Sequence, residues 1–273
     1  MLGVIALLAL TGCSKNDSSQ FGRLGLPRPA SDRTTAMFNL WLAGWTAVLV
    51  IFVLVFGLIV WSVVRYRRRS PDDTPAQVRY NLPIEMLYTI APVVIVAVFF
   101  VHTVQAQDAM LKNVPTQHTI IVVGEKWAWT FDYVKDKALD GKTTVYDTGT
   151  PDAPATLYLP LNQPVRFDLH SPDVIHSFWI PAFYFKMDVI PGRSNTYTMT
   201  ANRLGTYAGH CAELCGLYHS RMIFTVKVVT PQQYAAHLKA LADPNGIDQI
   251  GQPMGNSNTD TIAGLTPESG GGQ

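Results

Sequence analysis

The chain has 273 residues, of which 15% are charged and 48% hydrophobic, and its formal net charge is +1. That length allows one or two domains. The near-neutral balance offers no basic stripe for a nucleic-acid backbone, and the low charged fraction points to membrane segments instead. The charges are unevenly spread, with 15 acidic and 12 basic side chains from Ala106 onward and 5 and 9 before it.

An apolar run from Leu2 to Leu10 ends in Leu10-Thr11-Gly12-Cys13. A short apolar region closed by small residues is the layout of an export signal, and this one resembles a bacterial lipobox. Residues 1–13 therefore read as a lipoprotein-type signal peptide, with Cys13 as the lipidated residue. Residues 14–36 are polar, with Pro, Gly and Ser, and read as an extracytoplasmic linker.

The next segment, 37–107, reads as a transmembrane helical hairpin. No charged residue occurs from Phe38 to Val64 or from Met86 to Gln107, and a bilayer span needs roughly 20 apolar residues. Spans are expected over about 38–64 and 84–107. Trp41, Trp45 and Trp61 sit towards the ends of the first span, where amphipathic rings favour the membrane–water boundary. The loop 65–83 carries Arg65, Arg67, Arg68, Arg69 and Arg79. By the positive-inside rule it is cytoplasmic, so both chain ends and everything after the hairpin lie outside. Glu85 stands at the cytoplasmic end of the second span, and an ionisable group there is a functional candidate. His102, near the outer end, is assigned no role.

From Gln117 the pattern changes to short β-branched and aromatic runs: 117–123, 127–133, 155–159, 165–170, 174–180, 195–200, 205–211 and 222–229. Turn signals such as Pro160, Pro164, Pro181 and Pro191-Gly192 separate them. Many short strands at this spacing predict an antiparallel sandwich over 115–230. The Asp-, Gly- and Thr-rich stretch 135–154 reads as a hairpin excursion. Thr230-Pro231-Gln232-Gln233 predicts a helix start, with Thr as cap, Pro at the first helical position and Gln three residues after the cap. That helix should cover 231–242, followed by a disordered tail at 243–273 with few core-forming residues.

One stretch concentrates the chemistry. Residues 211–222 read Cys-Ala-Glu-Leu-Cys-Gly-Leu-Tyr-His-Ser-Arg-Met. Thiolate and thioether are soft ligands and imidazole is borderline, a mixture that favours copper over magnesium or calcium. A structural zinc site more usually offers Cys-x2-Cys pairs. A further ligand is wanted from elsewhere, and His176 in Asp173-Val174-Ile175-His176-Ser177-Phe178 is the candidate. The plainer alternative is a Cys211–Cys215 disulfide of an exported domain.

Cys-x-Glu-x-Cys-Gly-x-x-His-x-x-Met, with the upstream Asp-Val-x-His-Ser-Phe, resembles the dinuclear copper A site of cytochrome c oxidase subunit II. The resemblance covers about Phe38 to Leu241. It implies a two-helix hairpin followed by an all-β cupredoxin-like Greek-key sandwich, in a bacterial plasma membrane. It implies two copper ions, with Cys211 and Cys215 as bridging thiolates, His176 and His219 as terminal ligands and Met222 as a weak thioether ligand. Glu213 would ligate through its carbonyl and place its carboxylate on a magnesium ion at the interface with subunit I. Gly124-x-x-Trp127-x-Trp129 matches the family's Gly-x-x-Trp-x-Trp, which gives Trp127 the site where the electron enters. Asp173 matches an acidic residue of the docking surface for a basic cytochrome c. Glu85 matches a Glu at the mouth of a proton-uptake path, with Tyr88 where Trp is commoner. The implied function is electron transfer from cytochrome c through copper A to haem and the oxygen-reducing site in subunit I, with proton translocation, in a complex that also holds subunit III. A membrane-anchored copper carrier or assembly protein is the alternative from another class. A quinol oxidase subunit II would share the architecture, but that class lacks the copper ligands. No nucleic-acid partner is expected.

Overall fold

The computed structural model describes residues 19–70, 74, 78–247 and 249–253; the lipobox and its Cys13 lie outside the described residues. The chain divides into two units, residues 33–113 and residues 1–32 with 114–273.

The smaller unit is two long helices, α1 (Thr34–Arg65) and α2 (Leu82–Leu111). At about 1.5 Å per residue they reach roughly 48 and 45 Å, longer than the roughly 30 Å hydrocarbon core. Their helical runs therefore extend a few residues beyond the uncharged runs. Apolar side chains point outward over the whole of Val48–Val64, which water would penalise and lipid would not. Thr46, Thr89 and Thr103 each donate their hydroxyl to the carbonyl four residues earlier, so these hydroxyls are satisfied inside their own helices. Arg33, just before α1, reaches the end of α2, donating to the carbonyls of Ala109 at 2.8 Å and Lys112 at 2.6 Å. Those carbonyls are among the orphan acceptors at a helix C-terminus. At the start of α2, the Asn81 side chain accepts from Ile84 N, and the Glu85 carboxylate accepts from Asn81 N at 2.8 Å.

Among the described residues the larger unit is a sandwich of ten strands: β1 (His118–Glu125), β2 (Ala128–Tyr133), β3 (Val145–Thr148), β4 (Thr156–Pro160), β5 (Pro164–His170), β6 (His176–Ile180), β7 (Phe185–Val189), β8 (Asn195–Thr200), β9 (Gly205–Cys211) and β10 (Ile223–Val229). One sheet has the order β3-β2-β1-β5-β8 and the other β4-β10-β9-β6-β7. The antiparallel expectation needs correcting, because β1 pairs with β5 and β10 with β4 in parallel. Such pairs need long connections, which the chain supplies by crossing between sheets. Two strands, β3 and β7, were not anticipated. β3 lies within the stretch read as a hairpin excursion, and β7 turns Lys186 and Asp188 outward to solvent.

The core follows from strand alternation. Trp129, Phe131 and Tyr133 are buried from β2, the first two against Phe178 of β6 and Phe224 of β10 and Tyr133 against Tyr234. Phe178 and Phe224 stack with centroids 4.9 Å apart and planes 8° apart. Gly209 is required beside them, since a Cβ there would fall within the Phe224 ring. Helix α3 (Pro231–Leu241) opens with the expected capping box between Thr230 and Gln233 and buries Tyr234, Leu238 and Leu241. Tyr234 donates to Asp136, whose carboxylate also meets His118 at 2.8 Å.

Both ends of this unit's described chain close the open edges of the first sheet. Ser31 bridges to Ala201, and Asp32 exchanges hydrogen bonds with Thr200 on the β8 side. Ile250 bridges to Val145, and Tyr146 N donates to Gln249 O on the β3 side. Segments read as linker and tail thus blunt the two edges that unpaired strands would expose. Pairing continues to Gly251, beyond the expected onset of disorder at 243.

Candidate metal centre

The ligand candidates converge at one end of the sandwich. His176 opens β6, Cys211 closes β9, and Met222 immediately precedes β10. β6 and β9 are neighbours, with Phe178 opposite Cys211. The connection between β9 and β10 carries Cys215 and His219 back over the same end. Its path is held by Cys211 N to Met222 O at 3.0 Å, Ala212 N to Ser177 O at 2.9 Å and His219 N to Gly216 O at 3.1 Å. Gly216 has φ +120°, and a Cβ there would lie 3.2 Å from the Trp127 ring; both facts call for glycine.

Cys211 Sγ lies 3.9 Å from Cys215 Sγ, 3.9 Å from His176 Nδ1 and 3.2 Å from the Glu213 carbonyl oxygen. Cys215 Sγ lies 3.6 Å from His219 Nδ1 and 3.7 Å from Met222 Sδ. All six residues singled out as ligands therefore meet in one cluster. His176, Cys211, Cys215 and Met222 are buried, and both thiols are free. Two thiols, two imidazoles, a thioether and a carbonyl form a donor set that suits copper. The ligand atoms of His176, Cys211 and Cys215 all lie within 4.8 Å of one another, close enough to hold a metal ion.

The surrounding groups fix the ligands in place. His176 Nε2 lies 2.9 Å from Asp173 Oδ1. An Nε2–H held there leaves Nδ1, the nitrogen facing Cys211, free to ligate. Burial pushes the His176 pKa down, but the bonds to Asp173 and Cys211 outweigh it and the net shift is upward. Burial pushes Asp173 up, and the bonds from His176, Lys126 N and Val174 N reverse this to a net lowering. Burial raises Cys211 too, yet hydrogen bonding with His176 and the backbone at Glu213 and Ser177 brings it down to about 7. Cys215, raised by burial and by the neighbouring Cys211, is pushed up to about 12.

The remaining candidates are placed as follows. Trp127 precedes β2, is half-buried, and donates from Nε1 to the Cys215 carbonyl at 3.1 Å. Trp129 is fully buried, donates to the Met222 carbonyl and packs edge-on to His176. Gly124 makes room for this, since a Cβ there would lie 2.9 Å from Trp129 and 3.4 Å from His176. Asp173, expected on a docking surface, spends its carboxylate inward on His176 and on the backbone N–H groups of Lys126 and Val174. The signal for this is its position three residues before the candidate ligand His176. Glu213 has an exposed side chain. Glu85 belongs to the hairpin, away from this cluster in sequence.

Comparison with known proteins follows the same division. The model of the cytochrome c oxidase subunit II periplasmic domain matches residues 118–229, and that of the transmembrane domain matches residues 19–105. A Streptomyces coelicolor protein named probable cytochrome c oxidase subunit 2 is 43% identical over 271 residues, covering 87% of this chain and 84% of its own. Cytochrome c oxidase subunit 2 of Mycobacterium bovis is 31% identical, covering 89% and 80%. The solved periplasmic domain of cytochrome oxidase subunit II from Bradyrhizobium japonicum is 30% identical over 47% of this chain and 95% of its own, with a TM-score of 0.41.

Proposed function

The chain belongs to the cytochrome c oxidase subunit II family, and from that premise we propose that it is the electron-accepting subunit of a proton-translocating oxidase. Electrons would arrive from a cytochrome c, cross the metal centre, and leave for haem and the oxygen-reducing site of subunit I, in a complex with subunit III. The observation that carries this reading is the convergence of His176, Cys211, Glu213, Cys215, His219 and Met222 on one buried cluster.

Two copper ions held there would supply reversible one-electron chemistry. The protein's own part is to keep the ligands still and dry. Strands β6, β9 and β10 fix His176, Cys211 and Met222, and Asp173 and Trp129 hold His176 from behind. Rigid ligands suit a centre that must change little on gaining or losing an electron. Trp127 lies over the loop with its indole nitrogen on the Cys215 carbonyl, which supports its role as the point where the electron enters. The Glu213 carbonyl faces Cys211, while its exposed carboxylate is free to hold magnesium against subunit I. Glu85, at the start of α2, is assigned to the mouth of a proton path. Its contact with Asn81 N also caps the helix that carries it. The arginine-rich loop supports a cytoplasmic connection in the hairpin, by the positive-inside rule, with the sandwich outside and Cys13 as the proposed lipid-bearing residue.

The test is Cys215→Ser in the assembled oxidase. Reduced cytochrome c should no longer reduce the haem of subunit I, although that haem is still present. Haem reduction at the wild-type rate would remove this cluster from the electron path.

A further inference from the structure

The candidate ligands all come from the second sheet and its loops, but one side chain reaches them from the first sheet. Trp129 lies in β2 and is fully buried between the two sheets. It touches two ligand residues. Its Nε1–H donates to the Met222 carbonyl at 3.4 Å, a long bond to an oxygen that Cys211 N also reaches at 3.0 Å. Its ring stands edge-on to His176, with centroids 6.2 Å apart and planes 62° apart. It also packs edge-on at 5.5 Å against Phe178 and Phe224, each two residues beyond one of those same ligands. A further side is bounded by Gly124, its cross-strand partner, where even a Cβ would lie 2.9 Å from the indole. Phe131 packs on the same two phenylalanines, but it has no polar atom to spend on a ligand residue.

A buried indole usually finds some partner for its N–H, and a core tryptophan needs only packing. Here both the N–H and the ring edge are spent on ligand residues. His176 Nδ1 lies 3.9 Å from Cys211 Sγ, and Met222 Sδ lies 3.7 Å from Cys215 Sγ. One rigid side chain thus braces a ligand beside each thiol. A thioether is a weak copper ligand, and such a ligand, with the apolar groups and hydrogen bonds around the thiolates, tunes the reduction potential of a copper–thiolate centre. We infer that Trp129 is a positioning residue that sets the reach of Met222 and the tilt of His176, and through them the reduction potential of the centre. This rests on the electron-accepting function proposed above. The role is separate from that of Trp127, which concerns where the electron enters; Trp129 has no surface to offer a donor. With the brace removed, Met222 can recede and donate less charge to the oxidised centre, so the potential should rise.

The test is a redox titration of the assembled oxidase, following the copper centre by its visible absorption, with copper analysis and urea denaturation alongside. Trp129→Phe keeps an aromatic ring but loses the N–H and the far edge of the indole. It should keep its copper, and its equilibrium constant for reduction should rise by at least about threefold, about 30 mV upward at about 59 mV per tenfold. Gly124→Ala pushes on the same ring from the other side and should also move the potential. Tyr133→Phe, on the same strand, removes the hydroxyl that accepts from Tyr158 N at 2.9 Å. It should lower stability in urea and leave the potential where it is. A copper-loaded Trp129→Phe enzyme with the wild-type potential, or a lower one, overturns the inference. Loss of copper from that variant also overturns it, because the indole would then retain the metal and not tune it. A shift of equal size in Tyr133→Phe overturns it as well, by making the change a general consequence of a softened core. If Trp129→Phe does not assemble, an unmoved potential in Gly124→Ala overturns it. A wild-type cluster that binds no copper would overturn the functional reading along with this one, whereas an unmoved potential in copper-loaded variants overturns this one alone.

Discussion

Asp173→Asn separates two roles for one carboxylate. Oδ2 accepts from Lys126 N at 2.7 Å, and Oδ1 accepts from Val174 N at 2.6 Å and meets His176 Nε2 at 2.9 Å. Asparagine has the same shape but only one acceptor oxygen. If that oxygen stays on Val174 and His176, the new amide group faces the Lys126 N–H, donor against donor. The other orientation loses two bonds in place of one. The smaller loss is one hydrogen bond to a charged group, about 1.5–3 kcal/mol, and it should appear as reduced stability in urea. The remaining bond to His176 also loses its charge, so the imidazole is held less firmly. Removing such outer support typically costs about 10–100-fold in metal affinity. A competition titration against a copper chelator of known affinity measures this directly. Donor binding should keep its wild-type salt dependence. Copper affinity within about threefold of wild type, together with weaker donor binding at low salt, would refute this reasoning and return Asp173 to the docking surface.

Trp127→Gln should slow electron transfer from cytochrome c by at least about tenfold, about 1.4 kcal/mol of activation, with copper retained. Trp127→Phe, which loses only the bond to Cys215 O, should lie between the two in stopped-flow reduction. Glu85→Gln keeps an acceptor for Asn81 N, so the hairpin should assemble normally while turnover falls by at least about tenfold; full turnover in the assembled mutant would leave Glu85 as a helix cap. Asp132 is fully buried, with no hydrogen-bond partner for either oxygen among the described residues, and burial raises it to about 8. A carboxyl raised on folding contributes stability below its unfolded pKa near 4 and loses it as pH rises towards 8. Asp132→Asn should therefore stabilise the protein by roughly 1–4 kcal/mol at pH 8, with the gain shrinking to nothing near pH 4 in pH-dependent denaturation.

The parts of this protein legible in its sequence are those encoded locally. Two long uncharged runs and an arginine cluster specify the hairpin without reference to anything else. The capping box at Thr230 likewise needs only four residues. The six candidate ligands were readable because five of them fall within twelve positions and His176 sits in its own motif. What was hidden depends on pairing between distant segments. Nothing near β1 or β10 announces that their neighbours β5 and β4 run parallel to them. β3 was masked by the polar stretch around it, and β7 by its outward Lys186 and Asp188. The orientation of Asp173 is a tertiary fact, since the same Asp-x-x-His spacing allows the carboxylate to face solvent or the ligand. The covering of sheet edges by 31–32 and 249–251 involves short segments that the surrounding composition assigns to linker and tail.

The central claim is that Cys211 and Cys215 bridge two copper ions that share one electron. Paramagnetic resonance of the oxidised, assembled oxidase tests it most directly, alongside copper analysis of wild type and Cys211→Ala. The account predicts a resonance split by two copper nuclei together, lost in Cys211→Ala with the loss of two coppers. A resonance split by a single nucleus, or a Cys211→Ala enzyme that keeps its full copper content, would contradict it.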